Sequence, residues 1–358
     1  MPLNLYPLLR PALFSIDPET AHNLAIEALK HQTIPKAKIP DDPILATEVL
    51  GLKFSSPVGL GAGFDKQAHA IQGVLNLGFG FIELGTVTPL PQTGNPKPRM
   101  FRVPSAQGLI NRFGFNSDGH ETVAARIAEF RKKNKGKKLA PIGINIGNNK
   151  TTTDIPADYV QGVKTFAPYA DYLTVNISSP NTPGLRDMQR RAPMLDLLQK
   201  VIDARASCQK KPPLFVKIAP DQTGDQLQDI ADVVLQSGID GVIIGNTTLS
   251  RPPEIPQDLA KEAGGLSGRP LTEMSTKILG EFYRLTGGKI PLIGCGGIFS
   301  GADAYEKIRA GASLVQVYTA MVYKGPYIAV DVANELATLL KRDGYKSLKD
   351  AVGTIFKR

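Results

Sequence analysis

Eight short apolar runs, each ending in polar or glycine-rich sequence and several separated by helical patterns, predict a (β/α)8 barrel. Two further observations shape that expectation. The runs begin only near residue 55, after two amphipathic segments of a different kind. The polar clusters all fall at the C-terminal ends of the runs, where barrels of this class carry their sites. A chain of 358 residues, 42% apolar and 21% charged, is long enough and apolar enough to bury such a core.

Residues 1 to about 40 form an N-terminal two-helix extension in this reading, and 41–358 the barrel. Leu8, Leu9, Ala12, Leu13 and Phe14 mark the first segment. Asp17-Pro18-Glu19 reads as a helix start, with aspartate as cap, proline in the first turn and an acid near the positive dipole end. Ala21, Leu24, Ala25, Ala28 and Leu29 then share one face, and Ile34-Pro35-Lys36 to Pro40 links this helix to the barrel. Such a pair is either a helical cap over a barrel end or an element lying on a membrane surface. The pattern alone favours the cap.

The eight runs are Pro57–Leu60, Phe79–Leu84, Pro141–Ile146, Tyr172–Ile177, Leu214–Ile218, Gly241–Ile244, Pro291–Gly294 and Leu314–Val317. Most are continuous Val, Ile, Leu and Phe, as expected for parallel strands covered on both faces. Helical periodicity over Asp225–Gln236 and Ala302–Ala310 fills two of the intervals. The second and third runs are about 57 residues apart, and the sixth and seventh about 47, so both gaps are candidate insertions on the functional face.

The strand ends carry the chemistry. The first leads into Gly61-Ala62-Gly63-Phe64-Asp65-Lys66, where small residues let backbone amides approach a flat ligand and Lys66 adds a cation. The second gives Thr86, the third Asn145, and the fourth the segment Asn176-Ile177-Ser178-Ser179-Pro180-Asn181-Thr182-Pro183-Gly184-Leu185. Amides there can read the polar edge of a heterocycle, and a serine hydroxyl can move a proton. The same residues would also suit a plain turn. The fifth carries Lys217 within an apolar strand; an unpaired buried lysine is costly, so it either faces an anion or snorkels to solvent. Asn246-Thr247 follow the sixth. Gly296-Gly297 and Tyr318-Thr319 follow the last two, the usual phosphate position in these barrels, with Gly264-Gly265-Leu266-Ser267-Gly268 able to add amides.

The sequence disfavours other classes. The net charge of +9 is not concentrated beyond Arg131–Lys138, which reads as a solvated helix end, so nucleic acid is not favoured. Cys208 and Cys295 form no CxxC, and the four histidines have no HExxH-type spacing. Disulfide frameworks, structural zinc, iron–sulfur clusters and a metal site are unsupported. No stretch reaches the ~18 to 20 apolar residues of a membrane span. The opening Met1–Pro11 is broken by Asn4, Pro7, Arg10 and Pro11 and is not a convincing signal peptide.

With these residues set out, the chain resembles the dihydroorotate dehydrogenases, specifically the quinone-dependent, membrane-associated class. The likeness covers nearly the whole length. It is carried by Asn176–Leu185, by Gly108-Leu-Ile-Asn-Arg-Phe-Gly-Phe-Asn116, by Gly264-Gly-Leu-Ser-Gly-Arg-Pro-Leu271, and by Asp17-Pro-Glu-Thr-Ala-His22. The resemblance implies an FMN-binding barrel that oxidises dihydroorotate to orotate in pyrimidine biosynthesis and passes electrons to a membrane quinone. It implies Ser179 as the base, where soluble relatives carry cysteine, and Lys217 as stabiliser of charge on the flavin. Ala62, Gly63, Lys66, Thr86, Asn145, Asn176, Lys217, Gly245, Gly268, Gly297, Tyr318 and Thr319 would contact the cofactor. Lys66, Asn111, Arg112, Phe113, Gly114, Phe115, Asn176, Asn181, Asn246 and Thr247 would contact the substrate. His22, Arg102 and Tyr318 would line the quinone path, and Pro180 to about Arg190 would form a lid. Gly245 departs from the family habit of a hydroxyl residue there. The implied partners are the substrate, the quinone and an anionic lipid surface at the cytoplasmic side of the cell membrane, without an iron–sulfur subunit. A flavin-dependent 2-hydroxy acid oxidase is a same-fold rival, but no histidine ends a strand to serve as its base. A non-catalytic phosphate-binding barrel at a membrane is a rival of another kind.

Overall fold

A computed structural model describes residues 4–38 and 40–357. Met1–Leu3 of the opening apolar stretch therefore lie outside the described residues. Eight parallel strands close a barrel in chain order: β1 (Val58–Leu60), β2 (Phe81–Val87), β3 (Ile142–Ile146), β4 (Tyr172–Asn176), β5 (Leu214–Ile218), β6 (Gly241–Ile244), β7 (Leu292–Cys295) and β8 (Ala312–Val317). Each coincides with one of the eight apolar runs, and nearly every strand residue is buried. Helices cover the outside; two of them, Gly224–Ser237 and Gly301–Arg309, fall where periodicity places them.

The floor of the barrel is an aromatic layer. Phe54, Phe81, Tyr172 and Phe215 form a chain of successive edge-to-face contacts, at centroid separations of 5.4–6.3 Å. Phe54 comes from a two-stranded hairpin, Thr47–Val49 with Leu52–Phe54, that plugs the N-terminal end. Glycines opposite the rings (Gly59, Gly143 and Gly241) give the small-against-large layering that fills a tapering barrel.

The two long intervals do hold insertions, and they meet. Gly108–Asn111 from the β2–β3 interval pairs antiparallel with Met100–Val103 of the same interval on one side and with Gly265–Gly268 from the β6–β7 interval on the other, making a three-stranded sheet beside the barrel mouth. This sheet carries the motif Gly108–Asn116 to the site.

The extension consists of α1 (Tyr6–Phe14) and α2 (Pro18–Lys30). Asp17 caps α2 by accepting from the Thr20 amide at 2.8 Å, with Pro18 in the first turn. A buried ion pair fastens α2 to the β2–β3 insertion: Arg99 donates to both Glu19 oxygens at 2.8 and 3.0 Å. Its remaining N–H groups reach the carbonyls of Thr93 and Asn95. Tyr6 anchors α1 by donating to the Val322 carbonyl at 2.6 Å. Leu5, Leu8, Leu9 and Leu24 stay exposed on this pair, Leu8 to 79%. No helix among the described residues is long and apolar enough to cross a membrane.

Candidate active site

The strand ends converge on one pocket at the C-terminal mouth. It is lined by Gly61, Ala62, Gly63 and Lys66 after β1, by Thr86 of β2, and by Asn176 and Ser179 at and beyond β4. Lys217 enters from β5, Asn246 and Thr247 after β6, Gly296 and Gly297 after β7, and Tyr318 and Thr319 after β8. The insertion sheet adds Asn111, Phe113, Gly114, Phe115 and Gly268.

Three expected residues are not on the wall. Asn145 lies one layer deeper. Arg112 turns its guanidinium away, to Glu262 at 2.6 Å and the Ala263 carbonyl at 3.0 Å. It is held by local charge, so its side chain is not brought to the pocket. Gly245 sits at φ +115°, and a Cβ there would lie 2.1 Å from the Cys295 carbonyl oxygen. That backbone excludes a hydroxyl side chain, so glycine is a steric requirement here more than a lost contact.

Below the pocket runs a polar network that the sequence reading missed. Glu83, buried within β2, accepts from Asn145 at 2.8 Å, Tyr172 at 3.0 Å and Gln316 at 2.7 Å. Asn145 in turn accepts from Thr86 at 2.6 Å and Asn176 at 3.1 Å, and Ser178 donates to Asn176 at 2.7 Å. Asn246 donates to Ser178 at 2.7 Å. The amides facing the pocket are thus fixed in orientation by a chain reaching the barrel core, since each buried partner must stay satisfied. A lone glutamate in an apolar run is the only signal that could have found it.

The ionisable groups are equally constrained. Lys66 donates to Asn116 at 2.9 Å and sits 3.5 Å above the Phe113 ring. Burial, reinforced by the nearby Arg99 charge, pushes it down to about 7. Lys217 is buried at the wall, and no carboxylate pairs with it among the described residues. The Ser179 oxygen accepts from the Asn181 amide at 3.2 Å. The following turn is held in place by Arg186, which donates to the Ser178 carbonyl at 3.1 Å, the Thr247 carbonyl at 3.0 Å and Asp221 at 2.7 Å.

The pocket suits a flat ring bearing a phosphate. Thr247 Oγ1 and Gln316 Oε1 are buried without a hydrogen-bond partner among the described residues, so the wall offers polar atoms to a ligand. At the far end, Gly297 has φ +71°, and a Cβ there would lie 2.4 Å from the Thr272 backbone nitrogen. The bare Gly296–Gly297 turn therefore packs onto the first turn of helix Thr272–Leu285, whose N-terminal amides and dipole favour an anion.

A second cavity, of about 480 Å³, opens between the α1–α2 pair and the barrel. Leu9, Leu13, Ala25, Ala28 and Tyr327 give it an apolar wall. Met100, Leu109, Tyr318 and Thr319 line both cavities, so the two abut. His22 lies on this wall with its ring edge-on to Phe64 at 5.3 Å, and burial pushes it down to about 4. Arg102 is there too. Its guanidinium is occupied by the C-terminal end of α1, donating to the Leu13 carbonyl at 3.0 Å and the Ile16 carbonyl at 2.8 Å.

A barrel whose mouth joins an anion cradle, an amide-lined pocket with a half-buried and a buried lysine, and an apolar side cavity fits the class of flavin-dependent barrel oxidoreductases. The family model for dihydroorotate dehydrogenase matches residues 44–340, and the chain belongs to that family. It is 51% identical to the mitochondrial dihydroorotate dehydrogenase (quinone) of Oryza sativa subsp. japonica, over 98% of this chain and 80% of that protein. It is 50% identical to the dihydroorotate dehydrogenase (quinone) of Azorhizobium caulinodans, over 98% and 99%. Among solved structures it is similar to ligand-free DHODH of Eimeria tenella, with a TM-score of 0.93 and 42% identity over 96% of this chain and all of that one.

Proposed function

We propose that this chain oxidises dihydroorotate to orotate in pyrimidine biosynthesis, with Ser179 as base, and delivers the electrons to a quinone held in the apolar cavity. The observation that carries the reading is the shared wall. The pocket holding Ser179 and Lys217 and the apolar cavity meet at Tyr318 and Thr319.

Asn111, Asn176, Asn246 and Thr247 are suited to the alternating donors and acceptors of a pyrimidine ring, and Lys66 to its carboxylate. Ser179 would take the proton from the ring carbon beside it. A neutral hydroxyl is a weak base, and the Asn181 amide pointing at its oxygen favours the charged form. FMN, when bound, supplies two-electron acceptor chemistry between the substrate carbon and the quinone. Gly268, Gly296, Gly297 and Thr319 would hold its phosphate, while Lys217 offers an unpaired cation to negative charge on its ring. Pro180 to about Arg190 would act as the lid, held by the Arg186 contacts beside the buried Ser179. His22 and Arg102 would meet the quinone head, and α1 and α2 would rest on the lipid surface through Leu5, Leu8, Leu9 and Leu24.

Ser179→Ala tests the base. The variant should fold and keep its yellow flavin, while flavin bleaching by dihydroorotate slows by ~10² to 10⁴, the usual contribution of a general base. Bleaching at the wild-type rate would sink the assignment.

A further inference from the structure

We infer that Lys307, a lysine outside the pocket wall, is a buried counter-charge for the FMN phosphate. It lies on helix Gly301–Arg309 with no solvent exposure. Its ammonium donates to Ser275 at 2.6 Å and Thr276 at 2.9 Å, both neutral hydroxyls of helix Thr272–Leu285. No carboxylate forms an ion pair with it among the described residues. Asp303, on its own helix, is engaged by Arg269 at 3.0 Å and accepts from the Phe299 amide and the Ser300 hydroxyl. An ammonium so placed is expensive to bury, and methionine would fill the same space without that penalty.

What lies above it explains the charge. The lysine stem runs under β7, its Cδ 3.2 Å from where a Gly294 Cβ would stand. Ser275, the hydroxyl it touches, is within 3.0 Å of the Gly296 carbonyl oxygen. Thr272, at the start of the same helix, donates to the Gly297 carbonyl at 2.7 Å. The ammonium is therefore one side chain removed from the anion cradle, on the protein side. It touches no ligand; it acts as a positioning residue that adds positive potential through low-dielectric protein, where a charge several ångströms away remains effective. Burial, partly offset by Cys295 and Asp303, pushes Lys307 down to about 7, and a phosphate above it would favour the protonated form. The proposal rests on the Gly296–Gly297 turn being the phosphate site.

The test is the preference of the full-length, flavin-loaded protein for FMN over riboflavin, which lacks the phosphate. Equilibrium exchange followed by chromatography of the bound flavin gives the ratio directly. Lys307→Met, and Lys307→Gln, which keeps an N–H donor for the hydroxyls, should each lower that ratio on the order of 10-fold or more. A merely structural lysine would weaken both flavins alike, so an unchanged ratio overturns the proposal. A wild-type protein with no preference for FMN would instead overturn the phosphate site. On the unmutated protein, ¹⁵N-lysine NMR should find Lys307 protonated to higher pH with FMN than with riboflavin. Asp303 and Cys295, the other titratable groups facing it, are common to both forms, so identical titrations would also refute the counter-charge.

Discussion

Replacing Arg186 by alanine would remove three contacts from the turn beyond Ser179 at once. Two are hydrogen bonds to carbonyls flanking the site, at Ser178 and Thr247, and the third is a 2.7 Å ion pair with Asp221. The pair is partly solvated, with 23% and 21% of the two side chains exposed, so its Coulomb energy is discounted. A charged group donating to partly buried acceptors is worth ~1.5–3 kcal/mol. A value of ~2 kcal/mol corresponds to a ~30-fold loss of the closed turn, each tenfold being about 1.4 kcal/mol. Flavin content should be unchanged, because Arg186 does not line the pocket. Anaerobic stopped-flow mixing with dihydroorotate should show bleaching slowed ~10- to 30-fold. Arg186→Lys should recover only part of the rate, since an ammonium cannot reproduce the guanidinium fork. Bleaching of Arg186→Ala within about twofold of wild type would refute the idea that these contacts hold Ser179 in its working position.

The other expectations concern acid stability and the membrane. His22 and His120 are both held near 4 by burial, His120 with its ring edge-on to Phe166, so the folded chain keeps them neutral while the unfolded chain protonates below about 6.5. Their contribution to stability is complete above that value and is lost as pH falls toward 4, about 2 kcal/mol per histidine by pH 5. His120→Phe should accordingly gain stability relative to wild type between pH 7 and pH 5 in thermal melts; parallel pH curves would count against this. Leu8→Asp, at the most exposed leucine of α1, should weaken binding to anionic vesicles ~10-fold or more while leaving bleaching by dihydroorotate intact. Unchanged vesicle binding would remove α1 from the lipid contact.

What could be read from the chain follows from how local each signal is. The barrel strands are continuous apolar runs covered on both faces, and that burial is written in adjacent residues. The insertion sheet escaped because its pairing joins Gly108–Asn111 to Gly265–Gly268, and such register is invisible to local pattern. The floor hairpin escaped because its strands are three residues long. At the site, residue types at strand ends were informative, whereas side-chain direction was not. Arg112 lies in a site motif but pairs with Glu262, and Arg102 on the wall of the apolar cavity is engaged by the Leu13 and Ile16 carbonyls. Glu83 and Lys307 were hidden for the opposite reason. Glu83 is a single charge inside an apolar strand, and Lys307 is one of four charges on a short amphipathic helix, so only the fold reveals what stands over each.

Passage of electrons from dihydroorotate to quinone is tested by a double-mixing experiment on the flavin-loaded protein in lipid. Dihydroorotate is added first without oxygen, and a long-chain quinone second. The flavin should bleach with stoichiometric orotate and recover its colour when quinone is added. A bulky substitution in the apolar cavity, Ala28→Trp, should block only the second phase. Failure of dihydroorotate to bleach the flavin, or reoxidation by quinone that Ala28→Trp leaves unimpeded, would refute electron transfer from dihydroorotate through the pocket to a quinone in the cavity.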